Sequence, residues 1–183
     1  MKITILNGNP AEDNLDFERY IANLAGILDS KGHAVDVVPL RQMEIKTCLG
    51  CWGCWVRTPG ECVFADDTKD VRRRVIGSDA LLFASPVIMG FTSGLLKKTM
   101  DKLIPLVLPY IEIDQGECHH VKRYDSYPVL GLLLQPSADC DDQDIAIISD
   151  CYRRLSINFK SRLAFVRQTT VGPKEVAHAF DAI

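Results

Sequence analysis

The sequence predicts an α/β fold, a single parallel sheet with helices on both faces. Three observations carry this reading. Five β-rich runs alternate with stretches of helical periodicity in the order β-α-β-α-β-α-β-α-β, the pattern of a doubly wound sheet. Two of the runs, "ALLFAS" at 80–85 and "PVLGLLL" at 128–134, are almost continuously apolar, as strands covered on both faces must be. No repeat, low-complexity tract or linker interrupts the 183 residues, so the reading is one domain spanning 1–183. Right-handed crossovers leave few topologies for five parallel strands, and the strand order expected is 2-1-3-4-5.

Each element has its own signal. "KITILN" at 2–7 is a short β-rich run that stops at Gly8, and a polar loop, "GNPAEDN", follows. Phe17, Ile21, Leu24, Ala25 and Leu28 recur at helical spacing until Gly32 ends the helix. "AVDVVPL" at 34–40 is the second strand, and a cysteine-rich loop at 46–65 comes next. Asp66 and Asp67 stand before "TKDVRRRVIGS", where acidic residues favour a helix dipole and cap free N–H groups. After the third strand, Ser93 is placed to cap a helix through "GLLKKTMDKLI". Pro105 and Pro109 break that pattern, and 109–127 reads as a long polar loop containing "GECHH". The fourth strand precedes a helix over roughly 142–158. "LAFVRQTT" is the fifth strand, and "PKEVAHAFDA" the last helix, with Pro173 near its first turn.

Composition narrows the function. A net charge of −3 makes no electrostatic case for nucleic acid or an anionic membrane surface. No apolar run approaches the roughly 20 residues that cross a bilayer. The N-terminus lacks a small-residue cleavage site and reads as a first strand, so the expected location is cytoplasmic. Seven cysteines, an odd count, argue against a disulfide framework and for metal or redox chemistry.

In such a fold ligands bind beyond the carboxyl ends of the strands, at the switch point. That gathers the loops 7–16, 85–94 and 135–141, with the cysteine loop beside strand 1. From Ser85 to Ile104, "SPVIMGFTSGLLKKTMDKLI" resembles the segment after the third strand in the NADPH-dependent FMN reductase family. "GNP" sits where that family writes Gly-Ser-Pro, and "CLGCWGCW...PGECVFADD" is similar to the cysteine loop of its iron–sulfur flavoprotein branch. "CYRRLSINF" has a weaker likeness.

The resemblance implies a flavodoxin-like three-layer sandwich that binds FMN. It also implies electron transfer from NAD(P)H to a small-molecule acceptor or electron carrier, and a homo-oligomer, commonly a dimer. The flavin carries the chemistry, so no catalytic side chain is expected. The implied FMN contacts are Asn9, Pro10 and Asn14 in the first loop, and Ser85, Pro86, Val87, Ile88, Met89, Gly90 and Ser93 in the second. The chain departs from the family in two places. Asn9 replaces a serine, and Glu12, Asp13 and Asp16 bring negative charge to the phosphate loop. Ile88-Met89 stand where the family often has an aromatic. Two outcomes stay open: the carboxylates point away and backbone amides hold the phosphate, or FMN binds weakly.

Cys48, Cys51, Cys54 and Cys62 follow C-x2-C-x2-C-x7-C. Three cysteines at three-residue steps with a fourth farther off suit a cuboidal [4Fe-4S] cluster, whose irons each need one thiolate. Zinc, metal-free redox thiols and plain packing are the competing readings. Trp52 and Trp55 either screen this site or anchor the loop. Cys118, His119 and His120 read as surface-loop residues, and "LIPLVLPYI" at 103–111 as core or as a patch pairing two subunits. The rival functions are a non-enzymatic flavin or cluster electron carrier and a decayed domain with a structural zinc.

Overall fold

A five-stranded parallel sheet organises the molecule. The computed structural model describes all 183 residues. The chain runs β1 (Lys2–Asn7), α1 (Leu15–Ser30), β2 (Ala34–Pro39), a 3₁₀ turn (Leu40–Gln42), α2 (Gly53–Val56), α3 (Thr68–Ile76), β3 (Ala80–Ile88) and β4 (Phe91–Thr92). It continues through α4 (Gly94–Asp101), a 3₁₀ turn (Ile104–Leu106), β5 (Val107–Asp114) and β6 (Glu117–Lys122). It ends with β7 (Val129–Gln135), α5 (Asp142–Asn158), β8 (Leu163–Gln168), α6 (Pro173–Ala179) and a last 3₁₀ turn.

The sheet order is β2-β1-β3-β7-β8, and each neighbouring pair is parallel. Since β7 and β8 are the fourth and fifth strands expected from the sequence, this is the 2-1-3-4-5 order of a flavodoxin-like fold. Alternation along the strands divides the interior in two. Ile3 and Ile5 of β1, Leu82 of β3 and Leu133 of β7 pack under Phe17, Ile21, Leu24 and Leu28 of α1 and Val176 of α6. Leu6, Leu81, Phe83 and Leu132 face the other way, against Val71 and Val75 of α3, Leu96 of α4 and Tyr152 of α5. Gly131 is required by packing, because a Cβ there would lie 2.6 Å from the Phe165 ring.

Two expectations need correction. Residues 109–127 are not a polar loop. Most of them form an antiparallel hairpin, β5 with β6, turning at Gln115 (φ 52°) and Gly116 (φ +80°) between the paired Asp114 and Glu117. Positive φ at both turn residues marks a type I′ turn, which matches the twist of a hairpin. The hairpin stands off the main sheet with Tyr110, Ile111 and Ile113 exposed, so it lacks the buried face that makes a strand legible. The second correction concerns α4, which stops at Asp101 instead of running through Ile104. Pro105 sits in the 3₁₀ turn that follows. Leu103, Leu106 and Val107 are core, whereas the end of that apolar run is exposed.

Candidate functional site

The carboxyl ends of β1, β3 and β7 meet at one rim, and side chains from all three loops tie it together. β3 continues to Ile88 and turns back through Met89 (φ 52°) and Gly90 (φ +73°) to pair with Phe91-Thr92. This is a second two-residue hairpin turn with positive φ at both positions. Gly90 lies against the start of α5, where an added Cβ would meet Asp144 Oδ1 at 2.8 Å. Ser93 Oγ donates to Gly8 O (2.5 Å) and accepts from Leu96 N (3.1 Å), so it caps α4 and fastens the first loop to the second. Ser93 N donates to Ser85 Oγ (2.9 Å). Asn14 caps α1 by accepting from Phe17 N (3.3 Å), and its Nδ2 donates to Gln135 Oε1 (2.7 Å) at the end of β7.

The polar side chains named from the sequence are therefore engaged within the protein. Asn9 is fully buried, accepts from Ala11 N and donates to Ala11 O and to Glu18 Oε1 (2.7 Å). Backbone donors are left for an anion. The amides of Glu12, Asp13, Asn14 and Asp16 have no acceptor in the protein. Glu12, Asp13 and Asp16 carry exposed side chains, and none of the three carboxylates accepts from these amides. Pro86 and Val87 are buried, Pro10 is exposed, Ile88 is 43% exposed and Met89 98% exposed.

Sequence reasoning missed Glu18. Its carboxylate is the inward-facing acid of this loop, and it accepts from Asn7 Nδ2, Asn9 Nδ2 and Arg41 Nη1 (2.5 Å). Burial alone would raise its pKa, but the hydrogen bonds from Asn9, Asn7 and Arg41 and the Arg41 charge outweigh it and hold the group below the usual range. The only sequence signal was an acid one residue from the apolar helix stripe.

The four motif cysteines line a single cavity of about 380 Å³, closed by Trp52, Phe64, Met100, Leu103, Val107 and Phe159 among others. Asp66 and Asp67 close the loop at its base. They accept from Lys46 N (3.1 Å) and Glu44 N (2.7 Å), and Asp66 also accepts from Thr68 N at the head of α3. Lys102 is 2% exposed, and its Nζ lies 3.0 Å from Asp66 Oδ2 and 3.1 Å from Cys62 Sγ. Burial works against its charge, yet the hydrogen bonds to Cys62 and Asp66 and the Asp66 charge prevail and raise its pKa. Burial pushes the Cys54 thiol up, and the nearby Cys62, Cys48 and Cys51 sulfurs add to the effect. The four cysteines line the cavity, but no three His, Cys, Asp or Glu side chains come close enough to hold a metal ion.

Trp55 anchors the loop: its Nε1 donates to Val107 O (2.9 Å) and its ring contacts His120 at 5.0 Å. Trp52, at φ 58°, stacks on Trp55 with centroids 5.0 Å apart and is 56% exposed. His119 and His120 lie on β6 instead of a surface loop. Both ring nitrogens of His119 and the Nδ1 of His120 are buried without a hydrogen-bond partner, although His119 Nε2 lies 3.4 Å from Glu117 Oε2, and His120 lines the cysteine cavity.

A family model described as NADPH-dependent FMN reductase matches residues 1–113. The chain is similar to an iron-sulfur flavoprotein of Archaeoglobus fulgidus, 29% identical over 102 residues, which is 56% of this chain and 48% of that protein. It is also similar to one of Methanocaldococcus jannaschii, 26% identical over 106 residues, 58% of this chain and 53% of that protein. The chain spans about half the length of these curated relatives. Among solved structures it is similar to an NAD(P)H:quinone oxidoreductase from Methanothermobacter marburgensis (TM-score 0.63, 17% identity, covering 100% of this chain and 94% of that one). It is similar as well to an FMN-dependent NADH-azoreductase from Bacillus anthracis in complex with FMN (TM-score 0.57, 14% identity, covering 100% and 95%). At these identities the structural likeness shows the fold. No helix is long and apolar enough to cross a membrane.

Proposed function

The chain belongs to the NADPH-dependent FMN reductase family, and from that premise we propose that it is an FMN-bearing oxidoreductase drawing on NAD(P)H and serving a small-molecule acceptor or an electron carrier. The observation that carries this reading is the rim where four amides, at Glu12, Asp13, Asn14 and Asp16, stand without acceptors in the protein. A phosphate dianion fits such a cradle, since helix-terminal N–H groups and the dipole favour it. When bound, FMN supplies the hydride acceptance and the single-electron steps.

The chain's own residues bind and orient. Asn9, Asn14, Ser85 and Ser93 fix the loops through the hydrogen bonds described above, so the amides do not have to be ordered on binding. The backbone of Pro86 to Gly90 would hold the flavin, and the exposed Ile88 and Met89 would offer it apolar surface. Pro10 borders the phosphate cradle.

Cys48, Cys51, Cys54 and Cys62 would hold an iron–sulfur cluster in the cavity they share. The donor chemistry fits: four thiols, a largely apolar lining and a buried ammonium at Cys62 that offsets thiolate charge. The cluster would relay electrons between flavin and acceptor. The family's homo-oligomeric state is supported by the exposed Tyr110, Ile111 and Ile113 on the β5–β6 hairpin, a surface suited to a second copy.

Anaerobic purification followed by an absorption spectrum and iron, zinc and sulfide analysis tests the cofactors, and NAD(P)H oxidation with added FMN tests the activity. The expected result is bound flavin, with about four irons and four sulfides per chain if the cysteines carry the cuboidal cluster. Failure of excess FMN to bind would overturn the reductase reading. Stoichiometric zinc in a colourless protein would replace the cluster with a structural ion.

A further inference from the structure

A second cavity, of about 320 Å³, is bordered by the segment 59–61, and its lining is cationic. Arg72, Arg73, Arg123 and Lys69 face it, against one carboxylate, Glu61. Glu61 is already paired with Lys69 at 2.9 Å. None of the three guanidiniums has a carboxylate in ion-pair range, whereas the neighbouring Arg74 has two, Asp36 and Asp70.

Arg72 is the decisive residue, since it is only 5% exposed. Its Nη1 donates to Thr68 Oγ1 (2.9 Å) and, at 3.4 Å, to Lys102 O, while Nε and Nη2 have no acceptor in the protein. Solvent reaches the free Arg72 nitrogens, which are not among the buried unpartnered atoms, so the case for an anion rests on a cationic lining that has no carboxylate to balance Arg72, Arg73 or Arg123. Arg123 is held in place by Nε donating to Pro105 O (2.9 Å) and Nη2 donating to Val107 O (3.5 Å), which leaves Nη1 without a partner in the protein. Arg73 makes no bond within the protein and completes the ring.

We propose that this pocket binds the phosphate group of a small molecule. Planar guanidinium forks match phosphate oxygens bidentately, and three of them around one void favour an anion with several oxygens over a single carboxylate. The volume sits at the lower end of small-molecule pockets, which suits one compact phosphate-bearing fragment. The pocket shares a wall with the cysteine site. Arg72 bonds the carbonyl of Lys102, and the Lys102 ammonium bonds Cys62. An anion bound here therefore touches the element that positions the fourth cysteine. The proposal does not depend on flavin binding.

Calorimetric titration at low salt with inorganic phosphate and with adenosine 2′,5′-bisphosphate tests it, adenosine serving as the uncharged control. The parent binds at least one phosphate probe saturably and does not bind adenosine. Arg73→Gln, at an exposed position that tolerates change, weakens binding about tenfold, the equivalent of one charge-assisted hydrogen bond. Arg72→Met weakens it at least as much, with circular dichroism checking that it folds. Tighter binding of the bisphosphate identifies a nucleotide-borne phosphate, and equal binding identifies the bare anion. No saturable binding up to about 10 mM, or binding that neither substitution alters, overturns the proposal.

Discussion

The ammonium of Lys102 stands 3.1 Å from the sulfur of Cys62, and the same nitrogen is 3.0 Å from a carboxylate oxygen of Asp66. Lys102 caps the end of α4, while Cys62 and Asp66 lie on the stretch that leads from the cysteine motif into α3, so one buried cation joins two segments distant in sequence. The side chains of Lys102 and Asp66 are 2% and 1% exposed. Removing one partner from such a pair leaves an uncompensated buried charge. Lys102→Met is expected to cost about 3–5 kcal/mol in urea denaturation at neutral pH. The double variant with Asp66→Asn should recover part of that loss, because the stranded carboxylate is gone. A Lys102→Met protein as stable as its parent would show that the pair carries no weight.

Acid sensitivity follows from the same carboxylate. Asp66 is desolvated, but hydrogen bonds from Thr68, Lys102 and the Lys46 amide, with the Lys102 charge, bring its pKa below the usual value. A depressed folded-state pKa contributes stability that is complete above the unfolded value, near 4. That contribution declines as pH falls from there and is gone below the folded-state pKa. Glu18 acts in the same direction. Stability measured against pH should fall below about pH 4, and Asp66→Asn should flatten that fall while lowering stability at pH 7. An unchanged acid limb in the variant would argue against this assignment.

Met89 occupies a left-handed conformation at the tip of the β3–β4 turn and is 98% exposed. Asn-Gly is favoured over Met-Gly in a type I′ turn, so Met89→Asn should raise stability by about 0.5–1 kcal/mol. The proposed flavin contact loses apolar surface at the same time. Thermal unfolding should therefore shift upward while FMN affinity, read by fluorescence quenching, falls. Equal affinity in both proteins would remove Met89 from the flavin site.

Glu18→Gln would place an amide NH2 among donors from Asn7, Asn9 and Arg41. One oxygen cannot satisfy them all, and a loss of about 2 kcal/mol is expected, in line with hydrogen bonds to a charged group. The rim loops should loosen with it, so amide hydrogen exchange at residues 8–14 should quicken and FMN affinity drop. Thermal unfolding together with exchange protection checks both parts.

The sheet order and the gathering of three loops at one rim were legible in the sequence alone. Parallel strands buried on both faces leave continuous apolar runs, and alternation with helical stretches admits few topologies. The β5–β6 hairpin escaped that logic, because its turn is Gln115-Gly116 and its face is exposed, so no buried pattern marks it. Tertiary structure alone decided which charges are inside. Glu18, Arg72 and Lys102 read as ordinary polar positions in helical segments, where a charge suggests a solvated face. The surroundings of half-buried Glu18 and buried Lys102 depend on partners far along the chain, Arg41 for the first and Cys62 with Asp66 for the second. A residue's charge is written in the sequence, but its desolvation and its counter-charge come into being only when distant segments pack together.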